Sequence, residues 1–256
     1  GTLKNISPKL GDIVRTNSEA ILGIKLKKTP KEDFTKGVAI SSGFHPDNDT
    51  HIETVRYGQG QNAMALLTTF LPDRNIPLPG FIRWGISVVR SPFQFITNFF
   101  PFGWAKKTII LLVMQPLNNY LKLTYKSRWW RLGKFSMNSL SDTGEEIPSH
   151  IPIGEKTAKN IMKKTGGIVM STYMDSIFGI PTTAHILGGA CLSKNIDSGV
   201  VDENFEIFNY PDLYVIDGSA IPSNLGVNPS LTITAMAEYA MSKFPERDKK
   251  DKELNI

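Results

Sequence analysis

Three short segments, in a fixed order, constrain this chain most. Ala184-His185-Ile186-Leu187-Gly188-Gly189 comes first, then Leu213-Tyr214-Val215-Ile216-Asp217-Gly218-Ser219, then Gly226-Val227-Asn228-Pro229. The run Leu213–Ile216 is apolar and partly β-branched, bounded by Pro211 and Gly218, which predicts a buried strand. Asp217 and Gly218 then fall where that strand stops. In open α/β sheets ligands bind outside the C-terminal ends of the strands, and a glycine there lets backbone approach a ligand closely. Asn228 suits an N-cap and Pro229 the first helical position, so a helix is predicted through Leu231, Ala235 and Met236 to about Lys243, stopped by Pro245. Its free N–H groups and positive dipole end suit an anionic oxygen. His185 can exchange a proton near neutral pH, and an asparagine amide can donate to an oxygen.

In this order and spacing the segments resemble the C-terminal signature of the glucose-methanol-choline (GMC) flavoprotein oxidoreductases, and within them the cholesterol-oxidase-like branch. The resemblance extends over nearly the whole chain, including Ser7-Pro8-Lys9-Leu10-Gly11 and Arg15-Thr16-Asn17-Ser18-Glu19. It implies an FAD-dependent oxidoreductase that takes a hydride from a CH–OH group, with an apolar alcohol, expected to be a sterol, as substrate. It implies that His185 faces flavin N5 and handles the substrate hydroxyl with Asn228 as its partner. It further implies cofactor contacts at Asp217, Gly218, Asn228, Pro229 and Thr232. Many relatives carry proline directly after the histidine, where this chain has Ile186, a change the cholesterol-oxidase-like branch tolerates.

A third catalytic candidate is Glu53. His51 and Glu53 share one face of a predicted strand, because side chains alternate. Steroid oxidases use a substrate-domain glutamate to move a proton during double-bond isomerisation, and His51-Ile52-Glu53-Thr54-Val55-Arg56-Tyr57 resembles that region. The plainer reading is a surface pair between Glu53 and Arg56.

The implied fold is mixed α/β: part of a Rossmann-like FAD-binding domain, represented by its C-terminal strand and helix, plus an antiparallel-sheet substrate domain with helices. The expected division is 1–36 for part of the FAD domain and a linker, 37–150 for the substrate domain, 151–247 for the C-terminal part of the FAD domain, and 248–256 for a charged tail. A dinucleotide fold opens with strand, G-x-G-x-x-G turn and helix. Gly58-Gln59-Gly60-Gln61-Asn62-Ala63 is the one near match, between the strand-like run His51–Tyr57 and the helix-like run Ala63–Phe70, but it has no acidic residue about 20 positions on, the nearest being Asp73. It reads as a turn. The expectation is therefore that an N-terminal FAD-binding half lies outside this sequence, and that the chain alone neither holds FAD nor oxidises alcohols.

Other segments fill in the outline. Leu3 to Arg15 and Ser18 to Lys27 suggest a helix or two, followed by a basic linker. Gly37–Ser41 and His51–Tyr57 read as strands joined by the polar turn 45–49, and Ala63–Leu71 as a helix. Residues 121–140 alternate as antiparallel strands do. Thr143-Gly144-Glu145 is a turn, Lys156–Lys164 a helix ended by Gly166, and Gly199–Phe208 a hairpin turned at 202–204. Phe81 to Trp104 is rich in aromatics, with two readings: helices packing on the substrate sheet, or a rim over an apolar pocket that docks on membranes.

At 41% hydrophobic and 21% charged residues, with net charge +5, the composition is that of a globular protein. Basic residues cluster at Lys25, Lys27, Lys28 and Lys31, and at Arg128, Arg131 and Lys134 around Trp129-Trp130. No nucleic-acid-binding signature accompanies them, and peripheral contact with anionic lipid is the functional reading. No segment reaches the ~18 uninterrupted apolar residues of a membrane-spanning helix, and export is left open. The four histidines lack metal-ligand spacing, so no metal is expected. Cys191 reads as a small packing residue. A non-catalytic lipid-binding or interaction fragment is the competing class of function.

Overall fold

Residues 108–114, Thr-Ile-Ile-Leu-Leu-Val-Met, form an interior strand of a six-stranded sheet and are buried apart from Ile109. A strand covered on both faces reads as a continuous apolar run instead of an alternating one. In the computed structural model, which describes residues 3–127, 129, 132–141 and 147–244, the strands in chain order are β1 (Val14–Arg15), β2 (Ala20–Lys25), β3 (Ile40–Phe44), β4 (His51–Val55), β5 (Thr68–Phe70), β6 (Thr108–Met114), β7 (Leu121–Ser127), β8 (Phe135–Ser141), β9 (Ile168–Thr172) and β10 (Leu187–Gly188). The α-helices are α1 (Gly80–Arg90), α2 (Pro92–Asn98), α3 (Pro152–Thr165), α4 (Tyr173–Phe178) and α5 (Ser230–Met241). The larger sheet runs β3-β4-β6-β2-β9-β5 and a four-stranded sheet runs β10-β1-β7-β8, with antiparallel pairings throughout. The fold is mixed α/β with antiparallel sheets.

The period-2 alternation of the strands sorts the core. Leu111 and Val113 face one way, with Leu22, Ile24, Ile52 and Val169, and meet Ile151 and Ala158 of the α3 region. Gly154 lets α3 come down on β6: a Cβ there would lie 2.7 Å from Val113 Cγ2. Ile110, Leu112 and Met114 face the other way and pack with Ala65, Trp104 and Ala105. The same face, at the Met114 end of β6, carries His51 and Glu53 of β4, paired in register with Met114 and Leu112.

Much of the expected outline is present. β7 and β8 pair over their whole length. α3 ends at Gly166, in the left-handed region at φ 69°. Gly58–Ala63 is a turn leading into a 3-10 helix, Gln61–Leu67, with Gly60 at φ 97°. In the 199–208 hairpin Val201 bridges Ile207, and the Asp202 amide donates to the Glu206 carbonyl at 2.9 Å.

Three expectations are corrected. Neither Leu3–Arg15 nor Ser18–Lys27 is helical: the first is a run of turns ending in β1, and Ala20–Lys25 is β2, between β6 and β9. Its small and β-branched residues are buried on both faces, and sheet packing overrides any local helical spacing. Ala63–Leu71 divides into the 3-10 helix and β5, the latter recruited by β9. Leu213–Ile216 belongs to neither sheet. Tyr214 makes one bridge to Glu206, and the Val215 amide donates to the Phe205 carbonyl at 3.0 Å. An apolar run becomes a sheet strand only where partner strands flank it, and among the described residues the hairpin is its one neighbour of that kind.

The aromatic block packs on the larger sheet, as the first of its readings expects. Trp84 Nε1 donates to Thr69 Oγ1 at 2.7 Å and Phe95 packs on Phe70, so the inner side sits on the sheet. Phe81, Val89, Phe93 and Phe102 remain exposed on the outer side. Among the described residues no helix is long and apolar enough to cross a membrane. Arg128, Trp130, Arg131, the 143–145 turn, Pro245 and the charged tail lie outside the described residues.

Candidate active site

The site is assembled by a buried knot of amides between β1 and β2. Asn17 and Ser18 take left-handed backbone angles, φ 57° and 42°, which are uncommon away from glycine. They are held there by hydrogen bonds from a distant loop. Asn17 Oδ1 accepts from the amides of Leu225 (3.0 Å) and Gly226 (2.9 Å), and Asn17 Nδ2 donates to the Val227 carbonyl at 3.0 Å. Asn224 Oδ1 accepts from the Asn17 amide at 2.9 Å, while its Nδ2 donates to the Leu117 carbonyl at 2.6 Å and to Asn119 Oδ1 at 3.1 Å. Ser18 Oγ donates to Asn119 Oδ1 at 2.8 Å. Arg15 closes the knot with bonds to the Pro222 carbonyl and to Asn118 Oδ1, both 2.9 Å. The residues before Glu19 and those before Asn228 thus become one rigid piece.

Glu19 follows the knot directly, and its side chain is wholly buried. One oxygen, Oε2, accepts from Thr183 Oγ1 (2.8 Å), the Ala184 amide (2.9 Å) and His185 Nδ1 (3.0 Å). A carboxylate only accepts, so Nδ1 carries the proton and Nε2 of the neutral ring keeps its lone pair. The hydrogen bond to Glu19 raises the pKa of His185 above its ordinary value. Burial works the other way, and the charges of Glu19 and Glu53 add to the upward shift.

Glu53 lies within that electrostatic reach and is itself buried. Its Oε2 accepts from Asn228 Nδ2 at 2.5 Å, and its Oε1 stands 3.6 Å from His51 Nδ1. The surface pair with Arg56 is overturned: Arg56 donates instead to the carbonyls of Val38 (2.9 Å) and Lys36 (2.8 Å). His51 stacks on His45 with ring centroids 4.5 Å apart. Gly43 makes room for that ring, since a Cβ there would lie 2.6 Å from His51 Nε2. Asn228 Oδ1 is buried and has no partner among the described residues.

Asn228 is not the helix cap that its sequence position predicts. Pro229 occupies the N-cap of α5, with no side-chain cap bond, and its carbonyl accepts from the Ile233 amide at 2.9 Å. The Asn228 side chain is drawn to Glu53 instead, because a charge-assisted bond to a buried carboxylate outweighs a neutral cap. The first-turn amides of α5 therefore have no side-chain partner of the cap type.

The remaining predicted residues lie beside this cluster. The carbonyl of Ser219 accepts from the Ala190 amide at 3.0 Å, joining the 217–220 turn to the His185 loop. Asp217 is exposed and caps that turn, its Oδ1 accepting from the Ser219 amide at 2.8 Å. A Cβ on Gly218 would meet Leu187 Cδ2 and Ile233 Cδ1 at 3.3 Å, so the glycine serves close packing between the His185 loop and α5. Thr232 lies half-buried in the first turn of α5. A groove of about 440 Å³ runs past Gly188, Gly189 and Ser219 between Leu10 and Leu123. Ile186, Val227 and Leu231 expose apolar surface around the same loops.

The structure thus brings His185, Glu53 and Asn228 together and packs Gly218 against the loop that carries His185. Sequence reading missed Glu19 as a partner of His185, 166 positions away. It also missed the asparagine knot, whose only trace was the polar run Arg15–Glu19.

Residues 146–237 match the family model described as GMC oxidoreductase. The chain is 41% identical over 251 residues to a cholesterol oxidase of Acinetobacter baumannii, covering 96% of this chain and 44% of that protein. It is 42% identical over 257 residues to a cholesterol oxidase of Mycobacterium tuberculosis, covering 98% of this chain and 44% of that protein. A long-chain-alcohol oxidase of Arabidopsis thaliana is 39% identical over 108 residues, which is 39% of this chain and 14% of that protein. The chain therefore spans under half the length of the curated relatives it matches, and its residues 146–237 are a GMC oxidoreductase C-terminal domain.

Proposed function

We propose that the full-length protein is an FAD-dependent alcohol oxidoreductase acting on a sterol, with the alcohol oxygen held between His185 and Asn228. The carrying observation is the bond from His185 Nδ1 to the buried carboxylate of Glu19. It fixes one tautomer and aims the reactive nitrogen away from Glu19. In the neutral ring Nε2 takes the hydroxyl proton, and Asn228 helps hold the oxygen. Glu53 fixes the Asn228 amide and is placed to move a second proton in an isomerisation step. In this reading residues 37–150 supply the substrate-binding part through β4. Residues 1–36 and 151–247 supply the cofactor-side loops.

The residues fit the cofactor. The first-turn amides of α5 and the unpartnered Asn228 Oδ1 offer polar contacts, while Ile186, Val227 and Leu231 offer an apolar wall for a planar ring. Pro229 and Thr232 would lie along its edge, and Asp217, Gly218 and the groove beside Gly188 would take its arm. FAD, when bound, supplies the hydride acceptor. Its pyrophosphate would need a glycine turn that residues 58–63 do not provide, so the isolated chain is expected to bind FAD poorly and to be inactive alone.

The test is His185→Ala in the full-length protein. Turnover should fall about 10²–10⁴-fold with FAD still bound. Near-normal turnover in a flavin-loaded variant would remove His185 from the chemistry. A second reading, a long-chain or other non-steroid alcohol as substrate, draws on the likeness to the long-chain-alcohol oxidase. A substrate panel decides: good turnover of a linear alcohol with none of any sterol would overturn the sterol assignment.

A further inference from the structure

The far end of β2 holds a cavity that the proposed chemistry leaves unused. β2 rises about 3.4 Å per residue, which puts Lys25 roughly 20 Å from Glu19. A cavity of about 510 Å³ opens there, and its lining includes Lys25, Lys27 and Lys107 together with Phe100, Phe102 and the buried Trp104. No carboxylate lines it. Among the described residues none of the three lysines has an ion-pair partner, whereas neighbouring Lys106 reaches Asp33 at 3.8 Å.

Lys25 is built in rather than trailing on the surface. Its Nζ donates to Asn98 Oδ1 at 3.3 Å, one bond for an ammonium with three protons. Asn98 is buried, and its Nδ2 donates to the carbonyls of Ala65 (3.1 Å) and Thr68 (2.7 Å), which fixes its oxygen toward the lysine. Burial, with the charge of Lys107 adding to it, pushes the Lys25 ammonium down to about 8. A half-buried cation facing a second cation is stabilised by an anion between them. The aromatic side chains beside it offer an apolar surface.

The geometry points to a second ligand site at this end of the sheet, for an anionic amphiphile whose carboxylate or phosphate headgroup takes Lys25 and Lys107 while its hydrocarbon lies along Phe100 and Phe102. Such a headgroup comes on a free fatty acid or on a phospholipid in a bilayer. This inference is independent of the alcohol chemistry, because it uses none of the site residues.

Calorimetric titration of the full-length protein with decanoate, decanol and inorganic phosphate tests it. Decanoate should bind saturably at one site, and decanol and phosphate at least about tenfold more weakly, because each lacks one half of the recognition. Lys25→Met should weaken decanoate about tenfold or more. Lys107→Gln, at a half-exposed position, should weaken it too and serves if the first variant folds poorly. His185→Ala should leave decanoate binding intact. Vesicles of phosphatidylcholine with phosphatidic acid that displace decanoate assign the site to a bilayer headgroup; a lack of displacement assigns it to a free acid. Three results would overturn the site: no saturable decanoate binding, undiminished binding in both lysine variants, or loss of binding in His185→Ala, which would put decanoate in the alcohol site.

Discussion

The two ends of β2 are built on opposite plans. At Glu19 a wholly buried carboxylate accepts three hydrogen bonds on one oxygen, and the amide knot beside it is densely bonded, with Glu19 Oε1, Thr16 Oγ1 and Asn119 Nδ2 left unpartnered among the described residues. At Lys25 a half-buried ammonium makes one long bond, faces another lysine and opens on a cavity. Polar groups in low dielectric are rigid and costly to disturb when fully satisfied, and adaptable when they are not. The closed end therefore suits chemistry that needs fixed geometry. The open end suits a guest that supplies the missing partner.

The largest expected effect comes from opening the closed end. Glu19→Met strands the Ala184 amide and His185 Nδ1 without their acceptor, and leaves the Thr183 hydroxyl only its longer bond to the His185 carbonyl at 3.2 Å. Each stranded buried group costs about 1–3 kcal/mol. With partial relaxation the fold should lose at least about 3 kcal/mol, and the thermal midpoint about 6–12 °C. Unchanged melting would mean that the carboxylate is not buried as described and that the contrast between the ends is void.

Next in size is Asn224→Ala. It removes the acceptor of the Asn17 amide, which is buried, and the donor to the Leu117 carbonyl, which is partly buried. A loss of about 2–3 kcal/mol is expected. Because the knot also positions Asn228 and Glu19, turnover in the full-length protein should fall at temperatures well below melting. A variant that melts early yet turns over normally would show that the knot supports stability alone.

These contacts mark what the sequence could and could not reveal. α3 with its Gly166 end and the β7–β8 pair were legible because period and turn chemistry are local. β2 was misread because its neighbours, β6 and β9, come from residues 108–114 and 168–172, and only their flanking makes it a strand. Leu213–Ile216 failed in the opposite way, as an apolar run without flanking strands. Motif order singled out His185 and Asn228, and the strand face shared with His51 singled out Glu53. The cap expected of Asn228 failed, because a bond spanning 175 positions to Glu53 replaces it. The Glu19–His185 pair left no local trace: neither residue has a periodicity that points at the other.

Glu19→Gln sharpens the closed end electrically while nearly keeping its shape. The bond to the Glu19 carboxylate is the largest cause of the raised His185 pKa, so a neutral amide should lower it, with Glu53 still acting upward and burial downward. The base form of His185 exists above its pKa. The acid limb of the pH–rate profile in the full-length protein should therefore move to lower pH, with reduced turnover at the plateau, because a weaker base removes the proton less well. Imidazole ¹⁵N shifts should report the same fall without any substrate. An acid limb and imidazole titration that stay in place would remove Glu19 as the group that sets His185.

Lys25→Met should do least, and that near-silence distinguishes the two ends. The methionine keeps the length of the apolar stem, so packing against the Phe100 side of the cavity survives. The change relieves the desolvation of the amine and its repulsion from Lys107, both of which depress its pKa in the native fold. Against this, Asn98 Oδ1 loses its 3.3 Å donor, but a bond that long was weak from the start. The two sides should nearly cancel, leaving stability within about 1 kcal/mol of the parent and the thermal midpoint within about 2–4 °C. Alcohol turnover in the full-length protein should not change, since roughly 20 Å of strand separates Lys25 from Glu19. Lys25 and Glu19 share one strand, so equal costs for their methionine variants would mean that both ends are closed, and the cavity at Lys25 would then be a packing gap with no ligand to receive.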